Sequence, residues 1–241
     1  MRLPRGVERE TFDRGCGQDT GGQRLPDPLP RLNYKPTSAP EPPSRGVRAS
    51  TYKLLLDTAM DMIQQEGHIP SIAQVAVRSS VSRATAYRYF PSRSALITSV
   101  VDVSLGPVRQ LTDDASVGRE RLHAVLRKTF PRFRDFEPQL RAAAQLTLEQ
   151  WALQRAGLLE EEPYRRGHRI RILAHALEPM KKHMTPAARS RLHQALSVIY
   201  GIEAYAILKD MWGLPDRELE RTMMWMVDAL VDASLKAPPP A

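Results

Sequence analysis

The sequence predicts an all-α protein. From residue 50 onward apolar residues recur at helical spacing, first at Leu55, Ala59, Met62 and Ile63, which share one face of a helix. No segment shows the alternation of apolar and polar residues, bounded by turn residues, that is typical of a strand. Proline and glycine positions divide the rest of the chain into segments of helical length. The pattern favours short N-terminal helices followed by longer ones.

The composition excludes several classes of protein. The 241 residues are 42% hydrophobic and 26% charged, which is sufficient for a sizeable core. The single cysteine, Cys16, excludes an intrachain disulfide and a cysteine-based zinc site. No signal-peptide pattern and no run of about 18 apolar residues occurs, which predicts a soluble, cytoplasmic protein without a membrane segment. The net charge of +8 favours an anionic partner.

Both ends of the chain are predicted to be disordered tails. Residues 1–45 contain the clusters LPDPLP and APEPPS and few apolar residues, and residues 237–241 are APPPA. Such segments bury too little surface to offset the entropy of ordering. The basic residues of 1–45 leave open an N-terminal arm that touches DNA, but six acidic residues among them favour a tail.

Four helices are predicted between residues 46 and 105. Serine and threonine mark their starts, because a hydroxyl there can accept a hydrogen bond from a free N–H group of the first turn. Glycine suits a helix end, and proline prevents continuation. The predicted helices begin after Ser50 or Thr51, Ser71, Ser82 and Ser92, and end at Gly67, Ser79, Phe90 and Leu105.

The segment SVSRATAYRYF, residues 80–90, contains the third helix and combines aromatic with cationic side chains. No acidic residue occurs between Glu66 and Asp102, whereas four arginines do. Two short helices joined by a tight turn have the size of a helix-turn-helix. If Val81, Ala86 and Phe90 point inward, the remaining side chains of the third helix can enter a DNA major groove. These side chains are Arg83, Thr85, Tyr87, Arg88 and Tyr89. The alternative is a helical hairpin whose arginines are merely solvated.

Residues Leu55–Ile97 resemble the DNA-binding region of the tetracycline-repressor (TetR) family. The family pattern, a capped second helix, a turn, S-[KR]-x-T-x-Y-x-[YH]-F and then S-[KR]-x-x-L, is matched at Ser71, Ser82, Arg83, Thr85, Tyr87, Tyr89, Phe90, Ser92, Arg93 and Leu96. The resemblance implies that Arg83, Thr85, Tyr87, Arg88 and Tyr89 face DNA, that Ser71 and Arg93 hold phosphates, and that Phe90 and Leu96 are core residues. We include Ser82, at the start of the third helix, in the predicted DNA-binding set.

Two positions depart from the family pattern. Ser80 stands where the family usually has glycine before Val81, and Ala84 replaces a common glycine in the third helix. If residue 80 is left-handed, serine costs on the order of 1 kcal/mol there.

Residues 106–236 are predicted to form a second, larger helical domain, with helices near 118–135, 137–156, 163–183, 186–212 and 215–236. The resemblance implies that this domain binds an effector and dimerises, commonly through its last two long helices. The candidate dimer residues are Leu192, Leu196, Ile199, Met223, Met226 and Leu230. The alternative is that these stripes belong to the core of one chain.

The predicted helix 163–183 carries apolar residues on two nearly opposite faces, which indicates an enclosed helix beside a cavity. We take Trp151, His168 and His175 as candidates for lining an effector pocket. The alternative is that the histidines are core residues bonded to backbone or water. The run RRGHRIR is interpreted as a basic solvated turn.

Nothing in the sequence indicates an enzyme, a metal site or a cofactor. There is no glycine-rich phosphate loop and no nucleophile elbow, and Glu120 and His123 form only one Glu-x-x-His pair. We therefore expect a ligand-responsive repressor that binds a palindromic double-stranded operator as a homodimer. Two alternatives remain: a helical small-molecule-binding protein or enzyme with a vestigial helix-turn-helix, and an architectural DNA binder without an effector.

Overall fold

The fold is all-α, as the sequence predicts. A computed structural model describes residues 36–109 and 118–236, and these residues contain no strand. The predicted tails at 1–35 and 237–241, with Cys16, lie outside the described residues. The helices are α1 (Gly46–Glu66), α2 (Ile72–Arg78), α3 (Arg83–Tyr89), α4 (Arg93–Arg109), α5 (Arg119–Asp135), α6 (Glu137–Arg155), α7 (His168–Leu177), the 3-10 helix η1 (Glu178–His183), α8 (Pro186–Ile199), α9 (Ile202–Asp210) and α10 (Asp216–Lys236).

Helices α1 to α3 pack around the start of α4 to form a small N-terminal core. Phe90, which is 1% exposed, closes α3 against this core and lies 5.0 Å from the ring of Tyr52 on α1. The Tyr52 hydroxyl donates to Ser99 Oγ on α4 at 3.1 Å. One aromatic pair and one buried hydrogen bond thus join α1, α3 and α4.

Local hydrogen bonds define the starts of α2 and α3. Ser71 Oγ accepts the Gln74 N–H at 3.2 Å, and Gln74 Oε1 accepts the Ser71 N–H at 2.7 Å, which forms a complete capping box. Ser82 Oγ accepts the Thr85 N–H at 3.2 Å. The turn between the helices contains Ser80 with φ +56°, the left-handed conformation that glycine adopts more readily.

Helices α1 and α4 are each about one turn longer than predicted. Thr51 Oγ1 donates to Val47 O at 2.8 Å, so its hydroxyl lies within the helix instead of capping it. Helix α4 continues through Pro107, which has no N–H for the carbonyl of Val103. Arg132 of α5 donates to that carbonyl at 2.6 Å and thereby compensates for the missing helix bond.

Helices α5 to α10 surround a second part of the core, which is continuous with the first through α4 and α6. Helix α6 packs on α1, α4 and α9, and α10 packs along α8 and α5. The buried residues of α10, Leu219, Met223, Val227 and Val231, lie four residues apart on one face. The long C-terminal helices therefore cover one another within the chain.

Two predicted C-terminal helices were wrong in extent. The segment 186–212 is two helices, because Tyr200 and Gly201 interrupt it between α8 and α9. The segment 163–183 contains only the ten-residue α7 and the 3-10 helix. Pro163, Gly167 and Pro179 account for these limits, since proline lacks an amide donor and glycine favours helix ends.

The described part of the N-terminal tail, residues 36–45, contains no helix but contacts the connection between α6 and α7. The Thr37 N–H donates to Arg165 O at 3.2 Å, and the Arg165 N–H donates to Thr37 Oγ1 at 2.9 Å. This pairing places the residues before α1 against the C-terminal domain.

Within residues 36–109 and 118–236, no helix is long and apolar enough to cross a bilayer. The same residues contain no group of three or more His, Cys, Asp or Glu side chains placed to hold a metal ion.

The conformation of Ser80 leads to a stability prediction. We expect Ser80→Gly to raise the free energy of unfolding by about 0.5–1 kcal/mol, because relief of the left-handed strain exceeds the entropy that glycine adds to the unfolded chain. Urea unfolding followed by circular dichroism measures the change. Ser80→Ala keeps the Cβ atom and should give no gain; an equal gain from both variants would contradict the explanation.

Candidate DNA-binding surface and effector cavity

The outer face of α3 carries three exposed side chains of the predicted DNA-binding set. Arg83, Tyr87 and Arg88 are exposed, and Tyr87 retains 47% of its surface. Ala86 is completely buried on the opposite face and holds α3 against the N-terminal core. A seven-residue helix packed on one side thus presents two guanidinium groups and one phenol to solvent.

Three residues with hydroxyl groups border this face. Ser71 and Thr85 are half-buried and Ser82 is exposed. The Ser82 hydroxyl, besides capping α3, donates to Thr85 Oγ1 at 2.9 Å. Ser82 and Thr85 are therefore held in one orientation at the N-terminal end of α3.

Tyr89 differs from the expectation that it faces DNA openly. Its ring is half-buried and meets Tyr52 edge-on, with 6.2 Å between ring centroids. The Arg88 guanidinium lies 5.5 Å from the Tyr89 ring centroid, within the range of a cation–π contact. Tyr89 is thus partly a packing residue, and it supports the position of Arg88.

Arg93, predicted to hold a phosphate, is instead bonded within the chain. Its Nη1 donates to Glu149 Oε1 at 2.6 Å and its Nη2 donates to Glu149 Oε2 at 3.0 Å. This hydrogen-bonded pair raises the pKa of Arg93 and lowers the pKa of Glu149, so both groups are charged at neutral pH. In this conformation the Arg93 guanidinium is not directed toward a DNA backbone.

The charge around α2 and α3 is one-sided. Residues 67–101 contain four arginines and no acidic residue, and Arg78 donates only to the neutral amide oxygen of Gln65, at 3.3 Å. A basic, aromatic helix face without acids attracts a polyanion and repels an acidic protein surface.

A comparison with known families identifies this region. Residues 55–100 match the model of the N-terminal domain of "Bacterial regulatory proteins, tetR family". Residues 55–100 are thus similar to the DNA-binding domain of TetR-family transcriptional regulators. The match covers α2, α3, the second half of α1 and the first half of α4, so α3 occupies the recognition position of a TetR helix-turn-helix. No significant match was found among curated proteins.

The C-terminal part of the chain contains a cavity of about 70 Å³ between α4, α5, α6 and the start of α7. Its wall is mostly apolar and aromatic, with a cationic side. The lining residues are Val101, Leu105, Phe133, Leu140, Ala143, Tyr164, Arg166, Gly167, His168, Arg169, Ile172, Tyr200, Gly201 and Ile202. Two of them, Val101 and Leu105, belong to α4, the helix that follows the DNA-binding helices.

A charged cluster forms the polar side of the cavity. Arg166 and Arg169 both pair with Glu203 at the start of α9, and Arg169 Nη2 lies 2.8 Å from Glu203 Oε2. Burial by itself would raise the pKa of Glu203, but the two guanidinium groups lower it below its ordinary value. A Cβ atom on Gly201 would overlap with the Arg169 guanidinium, so a larger residue there would displace this side chain from its present position.

The structure does not bring the three predicted effector residues together. His168 lines the cavity. Trp151 is 64% exposed on α6, and His175 is exposed on α7, where it contacts Arg121. Helix α7 is therefore enclosed on one side only, which corrects the expectation that Trp151 and His175 border this cavity.

The predicted dimer residues divide into two groups. Leu192, Leu196 and Met223 are at most 1% exposed within one chain, so they belong to the intrachain core that the sequence left as an alternative. Ile199, Met226 and Leu230 are half-buried. The large apolar residues that α8 and α10 do expose are Val198, Trp225 and Leu235, none of which was predicted.

Sequence reasoning missed most of the cavity wall. The run at 165–171 is not simply a solvated turn, because Arg166 and Arg169 point to Glu203, more than 30 positions later in the chain. Gly201 directly after an aromatic residue was the available signal, since a lone glycine in a helical pattern indicates a break or a close approach.

The shared carboxylate of Glu203 leads to a prediction about acid stability. We expect Glu203→Gln to lower the free energy of unfolding at pH 7 by about 1–3 kcal/mol, because two charge-assisted hydrogen bonds are weakened. The depressed pKa of Glu203 stabilises the fold above the ordinary value of 4.5, and this stabilisation is lost as pH falls through the folded-state pKa. The variant should therefore lose less stability below pH 4.5 than the wild type does.

Thermal unfolding between pH 3 and 7 measures both effects. Glu178→Gln is the control, because the Glu178–Lys181 pair is exposed and 3.4 Å apart, so its loss should change the free energy of unfolding by less than about 0.5 kcal/mol. An equal effect of the two variants would contradict the role given to Glu203.

Proposed function

We propose that the chain is a TetR-family regulator, a ligand-responsive repressor that binds a palindromic operator as a homodimer. The observation that carries the proposal is the exposed face of α3, with Arg83, Tyr87 and Arg88 outward and Ala86 buried behind them. Such a face suits the major groove, where arginine can donate to guanine O6 and N7 and an aromatic side chain can contact a thymine methyl group.

Contacts to the DNA backbone set the register of α3 in the groove. Ser71, Ser82, Thr85 and Tyr89 border the face, and their hydroxyl or amide groups are suited to phosphate oxygens. Two copies of α3 related by a two-fold axis would enter successive major grooves about 34 Å apart. The operator would then consist of two inverted half-sites.

The outer face of α10 supports dimerisation with a second copy of the chain. Trp225, Ala229 and Ala233 are exposed and lie four residues apart, and the half-buried Met226 and Leu230 flank them. Small residues next to one large aromatic allow two helices to approach closely and bury the ring. Because α10 packs along α8, the exposed Val198 of α8 extends the apolar surface.

The cavity supports the effector response, because α4 connects it to the DNA-binding helices. Val101 and Leu105 line the cavity, and α4 begins four residues after α3 ends. At about 70 Å³ the cavity holds only a few water molecules, so a larger effector must displace its walls. A ligand that binds better to the displaced state shifts the spacing of the two α3 helices through α4.

We expect Arg83→Ala and Tyr87→Ala each to reduce operator affinity by about 10- to 100-fold without loss of the dimer, since each removes a groove contact. Fluorescence anisotropy with a selected operator measures affinity, and light scattering measures mass. Arg171→Ala removes an exposed arginine of α7 and should leave affinity unchanged. Unchanged affinity in both α3 variants would exclude α3 as the recognition helix.

The operator itself comes from selection among random-sequence duplexes at two salt concentrations. Recovery of a palindrome supports a sequence-specific dimer. Retention of all sequences with a steep salt dependence indicates phosphate affinity alone, as for an architectural binder. Retention of none would leave a small-molecule-binding protein with a vestigial helix-turn-helix.

The dimer surface is tested by Trp225→Glu, which places a charge on the proposed contact. We expect this variant to be a folded monomer with severely weakened operator binding, because a single α3 contacts only one half-site. Trp151→Glu is the matched control: Trp151 is 64% exposed, against 68% for Trp225, but lies on α6. Sedimentation should show a dimer for the control; a dimer in both variants would exclude this surface.

A further inference from the structure

The start of α4 lies in a dense polar junction with α6 and the α6–α7 connection. Glu149 binds both terminal nitrogens of Arg93, at 2.6 and 3.0 Å. Glu161 Oε2 accepts the backbone N–H of Arg93 at 3.0 Å. Two carboxylates from the C-terminal domain thus converge on one arginine, one through its side chain and one through its backbone.

Gln150 links the other residues of this junction by hydrogen bonds. Its Nε2 donates to Ser94 Oγ at 2.9 Å and to Glu161 Oε1 at 2.8 Å, and its Oε1 accepts the N–H of Tyr164 at 2.7 Å. Gln150 is 2% exposed and Ser94 is 1% exposed. The junction is therefore buried at its centre and its members are fixed by mutual hydrogen bonds.

The junction engages Arg93 through both its side chain and its backbone. The two terminal nitrogens are bound to Glu149, the backbone N–H is bound to Glu161, and the buried Nε has no hydrogen-bond partner among the described residues. Arg93 lies four residues beyond the last residue of α3, and the family resemblance implies that it holds a phosphate.

We propose that Glu149 and Glu161 compete with DNA phosphate for the start of α4, so that operator binding requires Arg93 to leave Glu149. The inference rests on the proposed DNA-binding function and adds a means by which the protein itself limits DNA binding. A phosphate that approached Arg93 would be repelled by Glu149, which binds the guanidinium, and by Glu161, which binds the backbone N–H. In the described conformation this contact is closed to DNA, because carboxylates of the protein occupy the place that a phosphate would take.

The effector cavity reaches the same junction through Tyr164. Tyr164 lines the cavity, and its N–H is bonded to Gln150, which also holds Glu161. A ligand that moves Tyr164 therefore alters the support of Glu161 and, with it, the competition for Arg93.

The test uses the full-length protein and its selected operator, without any effector. Glu149→Gln keeps the shape of the side chain but removes its charge. We expect this variant to bind the operator about 3- to 10-fold more tightly at 0.1 M salt. The slope of log affinity against log salt concentration should steepen by about 1 for each protomer, because Arg93 then releases an additional counterion from DNA.

Two further variants separate this effect from general changes in charge or structure. Glu162→Gln removes the same charge from the same connection at an exposed position, and should leave affinity and slope nearly unchanged. Arg93→Ala in the Glu149→Gln background should remove the entire gain. Glu161→Gln provides a second test of the same prediction if Glu149→Gln impairs folding, which circular dichroism reports.

The outcomes distinguish this inference from the function on which it rests. A wild-type protein that selects a palindrome, with a Glu149→Gln variant that is folded and binds no more tightly, overturns the competition. A gain that persists without Arg93 does the same. Failure of the wild type to bind any sequence overturns the proposed function itself.

Discussion

Helix α4 is the constraint on which the rest of the structure depends, because it belongs to both parts of the core. Leu96, Ile97 and Val100 are fully buried against the N-terminal helices and α6, and Val101 also lines the cavity. Its buried hydroxyls are satisfied within the helix: Thr98 Oγ1 donates to Ser94 O at 2.7 Å and Ser104 Oγ donates to Val100 O at 2.8 Å. A helix enclosed in this way cannot shift at one end while the other end remains in place.

The sequence predicted those features that neighbouring residues determine. The serine caps of α2 and α3 and the inward positions of Ala86 and Phe90 depend on contacts within about ten residues, and all are present. The pairing of Arg93 with Glu149 joins residues 56 positions apart, and no local pattern indicates it. The sequence also could not show that Leu192 and Met223 are buried within one chain. An apolar stripe has the same pattern whether it packs within a chain or between two chains.

The distribution of charge differs between the sequence and the folded molecule. Along the chain, acids are absent from a long window around α3. In space, the C-terminal domain returns Glu149 and Glu161 to one end of that window, at the start of α4, and leaves the outer face of α3 uncovered. The proposed DNA-binding face and the carboxylates proposed to compete with DNA thus lie at neighbouring helices, α3 and the start of α4.

The contact of Thr37 with Arg165 gives the residues before α1 a mechanical role. The chain passes from this pairing to the first residue of α1 at Gly46 in nine steps, and an extended chain of that length spans at most about 30 Å. This short segment therefore ties the N-terminal helices to the connection between α6 and α7, which forms part of the cavity wall. While Thr37 remains paired, it limits how far α1 can move from the connection between α6 and α7.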